Sequence, residues 1–295
     1  MFGFLAAATT AADERVSALL GKRNVAWVAV GVLASAGLLA YAANSGATLA
    51  DPKPSARFYE VLIVAGALVF LTIGLVQSFR GRKLSPLLLM TLASGTAFWQ
   101  ETYGDWGAYC LYSNRFITYG WGETIWAAPV RCWWFIAGYM VFYTSFFLGL
   151  MAAVSFARNR WPNANPYVAA ALVSLPAFYV FDLVWEGTAT GLGYWNYEYT
   201  FGPALHVGNG TFPLLWPIIE QVPFMALAAF GLMWRNHNGE NVFEVAARFV
   251  TRKAPSQPAL LVSWIIILNV AFLTTTILPI MTPRWLAGPS IAALP

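Results

Sequence analysis

Charge is what this chain has least of. Only 10% of its 295 residues are Asp, Glu, Lys or Arg, against 59% hydrophobic residues. A water-soluble domain of that composition would expose large apolar patches, so a soluble globular class is excluded. Cysteine is equally scarce. Cys110 and Cys132 are the two in the chain, too few for a disulfide scaffold, and no Cys-x-x-Cys pair or His/Cys cluster offers a metal site. Both fall in one stretch expected outside the cytoplasm, where a disulfide and two reduced thiols are both open readings. No cofactor and no metal are expected. Nor is there a basic stripe with interleaved aromatics, so the formal net charge of +4 points to no nucleic-acid partner.

What the chain does have is long apolar runs. A helix crossing a hydrocarbon core of roughly 30 Å needs about 20 mostly apolar residues. Seven such runs occur, at 24–43, 56–78, 84–100, 132–156, 166–187, 212–234 and 258–281. The expected fold is an all-α polytopic membrane bundle of seven transmembrane helices, a single domain over residues 1–295. Residues 1–23 form a short amphipathic lead-in that carries Asp13, Glu14 and Arg15. It reads as no cleavable signal, which leaves the first run as the membrane signal.

Seven crossings put the loops on alternate sides. One side collects 12 of the 17 Lys and Arg, among them Lys22, Arg23, Arg82, Lys83, Arg158, Arg160, Arg235 and Arg252. The other holds Lys53, Arg57, Arg115, Arg131 and Arg284. By the positive-inside rule the first side is cytoplasmic, with the N-terminus inside and the C-terminus outside, in what reads as a bacterial cytoplasmic membrane. The positive charge then serves orientation and attraction to anionic lipid head groups.

Among the 13 acidic residues, seven stand apart from the cytoplasmic loops and the first outer loop: Glu101, Asp105, Glu123, Asp182, Glu186, Glu198 and Glu220. At about 1.5 Å of rise per residue, Asp182 lies roughly 24 Å from the inner start of the fifth run, and Glu220 roughly 12 Å below the outer end of the sixth. Both can meet Glu101 in the outer half of the membrane. Glu101 and Asp105 are four apart, as are Asp182 and Glu186, which puts each pair on one helical face. An ionised Asp at a helix centre costs about 2.5 to 3.5 kcal/mol on translocon scales, so these acids should face a protein cavity. A protonated carboxylic acid held there is a general-acid candidate. The bland alternative is a buried hydrogen bond between helices for Asp182 and Glu220, and a solvated head-group position for Glu123 and Glu198.

Aromatic residues crowd the two outer segments, 101–131 and 190–211. Their glycines and the bar on lipid-exposed irregular backbone make both of them expected lids over the helix ends. Most of these rings suit an interfacial belt; a minority lining a cavity would stabilise a cationic intermediate. Trp99, Tyr103, Asp105, Asn114, Tyr194, Trp195, Tyr197 and Trp216 are the substrate-binding candidates. His206, in a glycine-flanked loop, reads as solvated.

Over the fifth and sixth runs the residues become recognisable. Asp182-Leu-Val-Trp-Glu186, then Thr190-Gly-Leu-Gly-Tyr-Trp195-Asn-Tyr197, then Trp216-Pro217-Ile-Ile-Glu220 resembles membrane lycopene cyclases. In those, an Asp-containing helix leads to a Gly-x-Trp-x-Tyr/Phe segment and a Pro-x-Glu-Glu motif opens the next helix. Gln221 replaces the second Glu of that motif, a departure that counts against carotenoid cyclisation. Over a longer span, from Trp99-Gln100-Glu101 through Tyr112-Ser113-Asn114 and Gly120-Trp121 to the sixth run, the chain resembles the AveC-type spirocyclase family. The resemblance implies an intramembrane cyclase without a redox cofactor, acting on a lipophilic polyketide-like or isoprenoid small molecule. It carries catalytic acids onto Asp182, Glu186 and Glu220.

The expected function is therefore a membrane-bound, redox-neutral, acid-catalysed cyclase, forming a spiroketal through an oxocarbenium ion. Asp182 or Glu220 is the expected proton donor, with Glu186 and Glu101 as base or charge-tuning partners. The runner-up is a terpenoid or carotenoid cyclase working through a carbocation. A proton-coupled transporter or lipid-handling membrane protein is a third class, with transport disfavoured because the acids cluster at one end of the helices.

Overall fold

The computed structural model describes residues 22–200, 202–251 and 256–287. The N-terminal lead-in, apart from its last two residues, lies outside them. The first long helix, α1, is Lys22–Asn44 and the second, α2, Ala56–Gly81. The Ser55 side chain caps α2 by accepting the Phe58 N–H, and Arg82 closes it at φ 50° in the left-handed region, the usual pattern of helix start and stop. Leu62, more than half exposed, and its outward neighbours give α2 an apolar outer surface. Among the described residues three helical stretches are long and apolar enough to cross a bilayer: Ala56–Gly81, Phe135–Phe156 and Gln257–Leu286.

The run at 84–100 is not one helix. It gives α3, Pro86–Gly95, a turn of 3-10 helix at Phe98–Gln100, and α4, Glu101–Ala108. The break has a partner in the last long helix. Asn269 donates to the Thr96 hydroxyl at 2.8 Å and accepts from Gln100 Nε2 at 3.0 Å and Trp99 Nε1 at 3.3 Å. Those bonds tie side chains at the break to the last long helix.

Helices α5, Phe135–Arg160, and α6, Pro166–Gly191, follow and pack on each other. A π-helical turn at Pro217–Gln221 leads into α7, Val222–Met233. The sixth run therefore becomes helical later than residue 212, because Phe212 and Pro213 belong to a strand. A short amphipathic helix, α8, Val242–Thr251, comes next. Helix α9, Gln257–Phe272, passes through a second π-turn, Leu273–Ile277, into α10, Leu278–Ala287. Phe243 of α8 stacks on Trp264 of α9 with ring centres 4.0 Å apart. The main core gathers Met90, Phe146, Leu150, Phe224 and Phe272 from α3, α5, α7 and α9.

The fold is mostly helical, but the all-α expectation needs correction, since four short strands among the described residues form two antiparallel ladders. Strand β1, Cys110–Tyr112, pairs with β2, Trp195–Tyr197, so that Cys110 faces Tyr197 and Tyr112 faces Trp195. Strands β3, Ala204–Val207, and β4, Gly210–Pro213, make a tight hairpin. Both segments leave helices with their backbone groups unpaired, and a ladder is the local way to satisfy them. Gly193 makes the turn into β2 possible. It sits at φ +74°, and a Cβ there would lie 2.3 Å from the Thr48 carbonyl oxygen, so no larger residue fits. The segment after β1 is tied to α2, where Glu60 accepts the Ile117 N–H at 2.6 Å and pairs with Arg57 at 2.7 Å. Cys110 and Cys132 are buried thiols that form no disulfide.

Candidate active site

Alternation along β1 and β2 decides which side chains reach inward. Tyr112, Trp195 and Tyr197 are buried, whereas Leu111 and Asn196 are only partly so, as period-two geometry requires. The inward face holds two carboxylates in place. Glu101, at the start of α4, accepts from the Tyr112 hydroxyl on Oε1 at 3.0 Å and from the Tyr139 hydroxyl on Oε2. Glu186, in the last turns of α6, accepts from Trp195 Nε1 at 2.6 Å and from the Tyr197 hydroxyl at 3.0 Å, both on Oε2. Its Oε1 has no hydrogen bond among the described residues.

Glu101, Asp105 and Glu186 line one cavity of about 70 Å³. Tyr112, Trp134, Tyr139, Trp185, Trp195 and Phe272 supply most of its ring faces, and Thr276 and Ile277 of the second π-turn close one side. Glu101 and Glu186 are each partly exposed and line this cavity. Trp134 and Trp195 stack at 5.8 Å, and Tyr112 meets Phe135 edge-on at 5.0 Å. The walls are thus packed aromatic faces that present electron-rich surfaces to the cavity. Among the described residues no three His, Cys, Asp or Glu side chains gather as a metal site.

The expected site residues divide into groups. Glu101, Asp105, Glu186, Trp195 and Tyr197 come together at the chamber. Asp182 is 1% exposed and one helical turn from Glu186, but is not among the residues that line the chamber, and its Oδ1 is buried without a hydrogen-bond partner. Glu220 lies in the π-turn Pro217–Gln221, and its side chain is outside the described residues. Trp216 is buried in the aromatic cluster around Tyr197 and Phe212. Trp99 and Tyr103 line a separate cavity of about 270 Å³ with Tyr119, Trp121 and Arg131. Arg131 is buried and bonded to exposed Glu123 at 2.7 Å. Asn114, Glu198 and His206 are exposed. Tyr194 sits against Tyr59, ring centres 4.4 Å apart, and burial pushes its phenol up to about 12, so it stays protonated at neutral pH.

Tyr139 has no counterpart among the sequence-derived candidates. It lies inside an apolar run, 38 residues from the Glu101 it holds, and no local spacing announces that contact. Tyr112 stands in the sequence as one of the residues that carry the family resemblance, with no role attached to its hydroxyl.

Fold and chamber together define a mostly helical, strongly apolar protein with a cavity at which Glu101, Asp105 and Glu186 meet a wall of aromatic rings. Over residues 79–290 the chain matches the family described as Spirocyclase AveC-like, and it belongs to that family. Membership makes it a cyclase. Neither the curated proteins nor the solved structures contain a match to it.

Proposed function

We propose that this cyclase is an integral membrane enzyme that closes spiroketals from lipophilic, polyketide-like dihydroxy ketones by acid catalysis, with no redox step. The observation that carries the reading is the unequal bonding of Glu101 and Glu186, two of the three chamber carboxylates. Both oxygens of Glu101 are engaged, whereas Glu186 takes both of its bonds on Oε2 and keeps Oε1 for a proton or a substrate. Glu186 is accordingly the proton donor and Glu101 the acceptor. Asp182, off the chamber wall, supports Glu186 from the same helical face.

The steps balance without a further reactant. One substrate hydroxyl first adds to the ketone carbon, and the carbonyl oxygen takes up the proton that hydroxyl loses, giving a hemiketal. Glu186 then protonates the hemiketal hydroxyl, the carbon–oxygen bond breaks, and water departs to leave an oxocarbenium ion facing the ring walls. The second substrate hydroxyl adds to that carbon, and its proton passes to Glu101. The released water returns the proton from Glu101 to Glu186, so the net change is dihydroxy ketone to spiroketal plus water. Seven crossings, with the two small ladders at the outer face, complete the reading. They are α1, α2, the broken α3–α4 pair, α5, α6, α7 with its π-turn, and α9 with α10.

The test is cyclisation by purified protein in lipid nanodiscs, followed by mass spectrometry as a loss of water from a lipophilic dihydroxy ketone. Glu186→Gln and Glu101→Gln are each expected to lower kcat by about 10² to 10⁴, the usual contribution of a positioned acid or base. Wild-type turnover by both variants would remove the acid mechanism.

A further inference from the structure

A buried cation outside the chamber has a partner that is itself hardly buried. Arg131 belongs to the segment between β1 and α5, where the antiparallel Thr118–Cys132 bridge sets it across from Tyr119, whose N–H bonds the Arg131 carbonyl at 2.9 Å. The Arg131 side chain is 6% exposed. Its one ion pair among the described residues runs from Nη2 to Oε1 of Glu123 at 2.7 Å, on a side chain that is 77% exposed. Taking a guanidinium out of water is costly unless it is paired, and an exposed carboxylate is a weak, solvent-screened partner. Glu123 also demonstrates that Nη2 lies within reach of an oxyanion held at the surface.

Arg131 and Tyr119 line the cavity of about 270 Å³ together with Trp99, Thr102, Tyr103 and Trp121. Helix α4 stands between this cavity and the chamber. Glu101 and Asp105 of α4 line the chamber, while Thr102 and Tyr103 of the same helix line the cavity, which assigns the cavity an occupant other than the reacting molecule. The surroundings say what kind. Trp99 and Trp121 on the wall are 41% and 50% exposed, and Ile117, Trp126 and Trp133 of the same segment as Arg131 are about half exposed. Half-exposed Trp side chains gathered in this way mark a membrane–water interface, and a guanidinium at that level matches a lipid phosphate. A freely dissolved anion gains nothing from such an apolar rim, whereas a lipid sets its chains against it.

We propose that the cavity at Arg131 binds the phosphate of an anionic phospholipid from the leaflet that meets the 117–133 segment. The phosphate takes the place of the Glu123 carboxylate on Nη2, and Trp99 and Trp121 cover the glycerol and upper acyl chains. Glu123 then acts as a tethered competitor that keeps Arg131 paired when the lipid is away. Binding of the lipid does not depend on the cyclase chemistry, so the failure of either leaves the other standing.

The test is native mass spectrometry of the full chain, released from detergent micelles doped with equimolar phosphatidylglycerol and phosphatidylcholine of identical acyl chains. The wild-type protein is expected to retain phosphatidylglycerol over phosphatidylcholine, whose quaternary ammonium offsets the phosphate charge. Arg131→Gln is expected to lower phosphatidylglycerol retention by about tenfold, as loss of a charge-assisted bond does. Glu123→Gln is expected to raise it by about two- to fivefold, the worth of an exposed ion pair. Should Arg131→Gln fold poorly, Glu123→Gln carries the test, because its side chain is largely exposed. Equal retention of the two lipids overturns the inference, and so does a preference that Arg131→Gln, or Glu123→Gln in its stead, leaves unchanged. Displacement of the lipid by excess inorganic phosphate overturns it too, by making the ligand a soluble phosphate.

Discussion

Tyr139 and Tyr112 show how much one hydroxyl can decide at this site. Each bonds a different oxygen of Glu101, so removing either leaves a carboxylate oxygen without its donor in a largely dry space. Tyr139→Phe is expected to destabilise the fold by roughly 1 to 3 kcal/mol, the cost of an unsatisfied buried polar group, seen as a lower melting temperature in detergent. Tyr197→Phe should cost less, because Trp195 still donates to the same oxygen of Glu186; an equal loss in the two variants would refute this account of the bonding. At this scale the sequence was informative about acids and poor about their neighbours. Glu101, Asp105 and Glu186 stand out in an apolar chain, and counting helical rise puts them at one end. Counting does not say which way a helix face turns in the packed bundle. Asp182, one turn from Glu186 on the same helix, is for that reason buried beside the chamber without lining it.

Among the elements, the two ladders and the broken third helix are what the sequence did not announce. Strands of three residues carry too little periodicity to separate from an aromatic loop, and the break after Gly95 is held by Asn269, which is far away in the chain. The apolar runs themselves were legible, as in the run 56–78 that becomes Ala56–Gly81. Helix α8 carries a pH-dependent contact of its own. Hydrogen bonds from Arg248 and Asn236 hold the Glu240 carboxyl below the usual carboxylate range. A depressed folded-state value means that the stabilisation is present above the unfolded value and is lost as pH falls through the folded one. The protection of α8 amides, taken relative to their intrinsic exchange rate at each pH, should therefore fall on acidification through the carboxylate range, and Glu240→Gln should flatten that dependence. An α8 whose exchange responds identically in both proteins would disprove the link.

For the molecule as a whole, the proposed topology places the loop after α2 in the cytoplasm and the segment after β1 outside. Lys83 and Asn114 are both exposed, so each can report its side as a single cysteine in a background lacking Cys110 and Cys132. Asn114→Cys should react with an impermeant maleimide on intact cells, and Lys83→Cys only after permeabilisation. The reverse pattern would invert the bundle, and reaction at both positions in intact cells would refute the crossing between them.

The ladder that joins the outer segments also sets what kind of change the chain can absorb. Only alternate residues of β1 and β2 face the carboxylates, and three pairs make the whole ladder. One residue inserted between Ala108 and Cys110 would shift the pairing by a step and turn Leu111 inward where Tyr112 now bonds Glu101. Two inserted residues would restore the facing. The contacts of both acids thus depend on parity along a strand, so that near β1 and β2 odd-length insertions should abolish activity where even-length ones are partly tolerated.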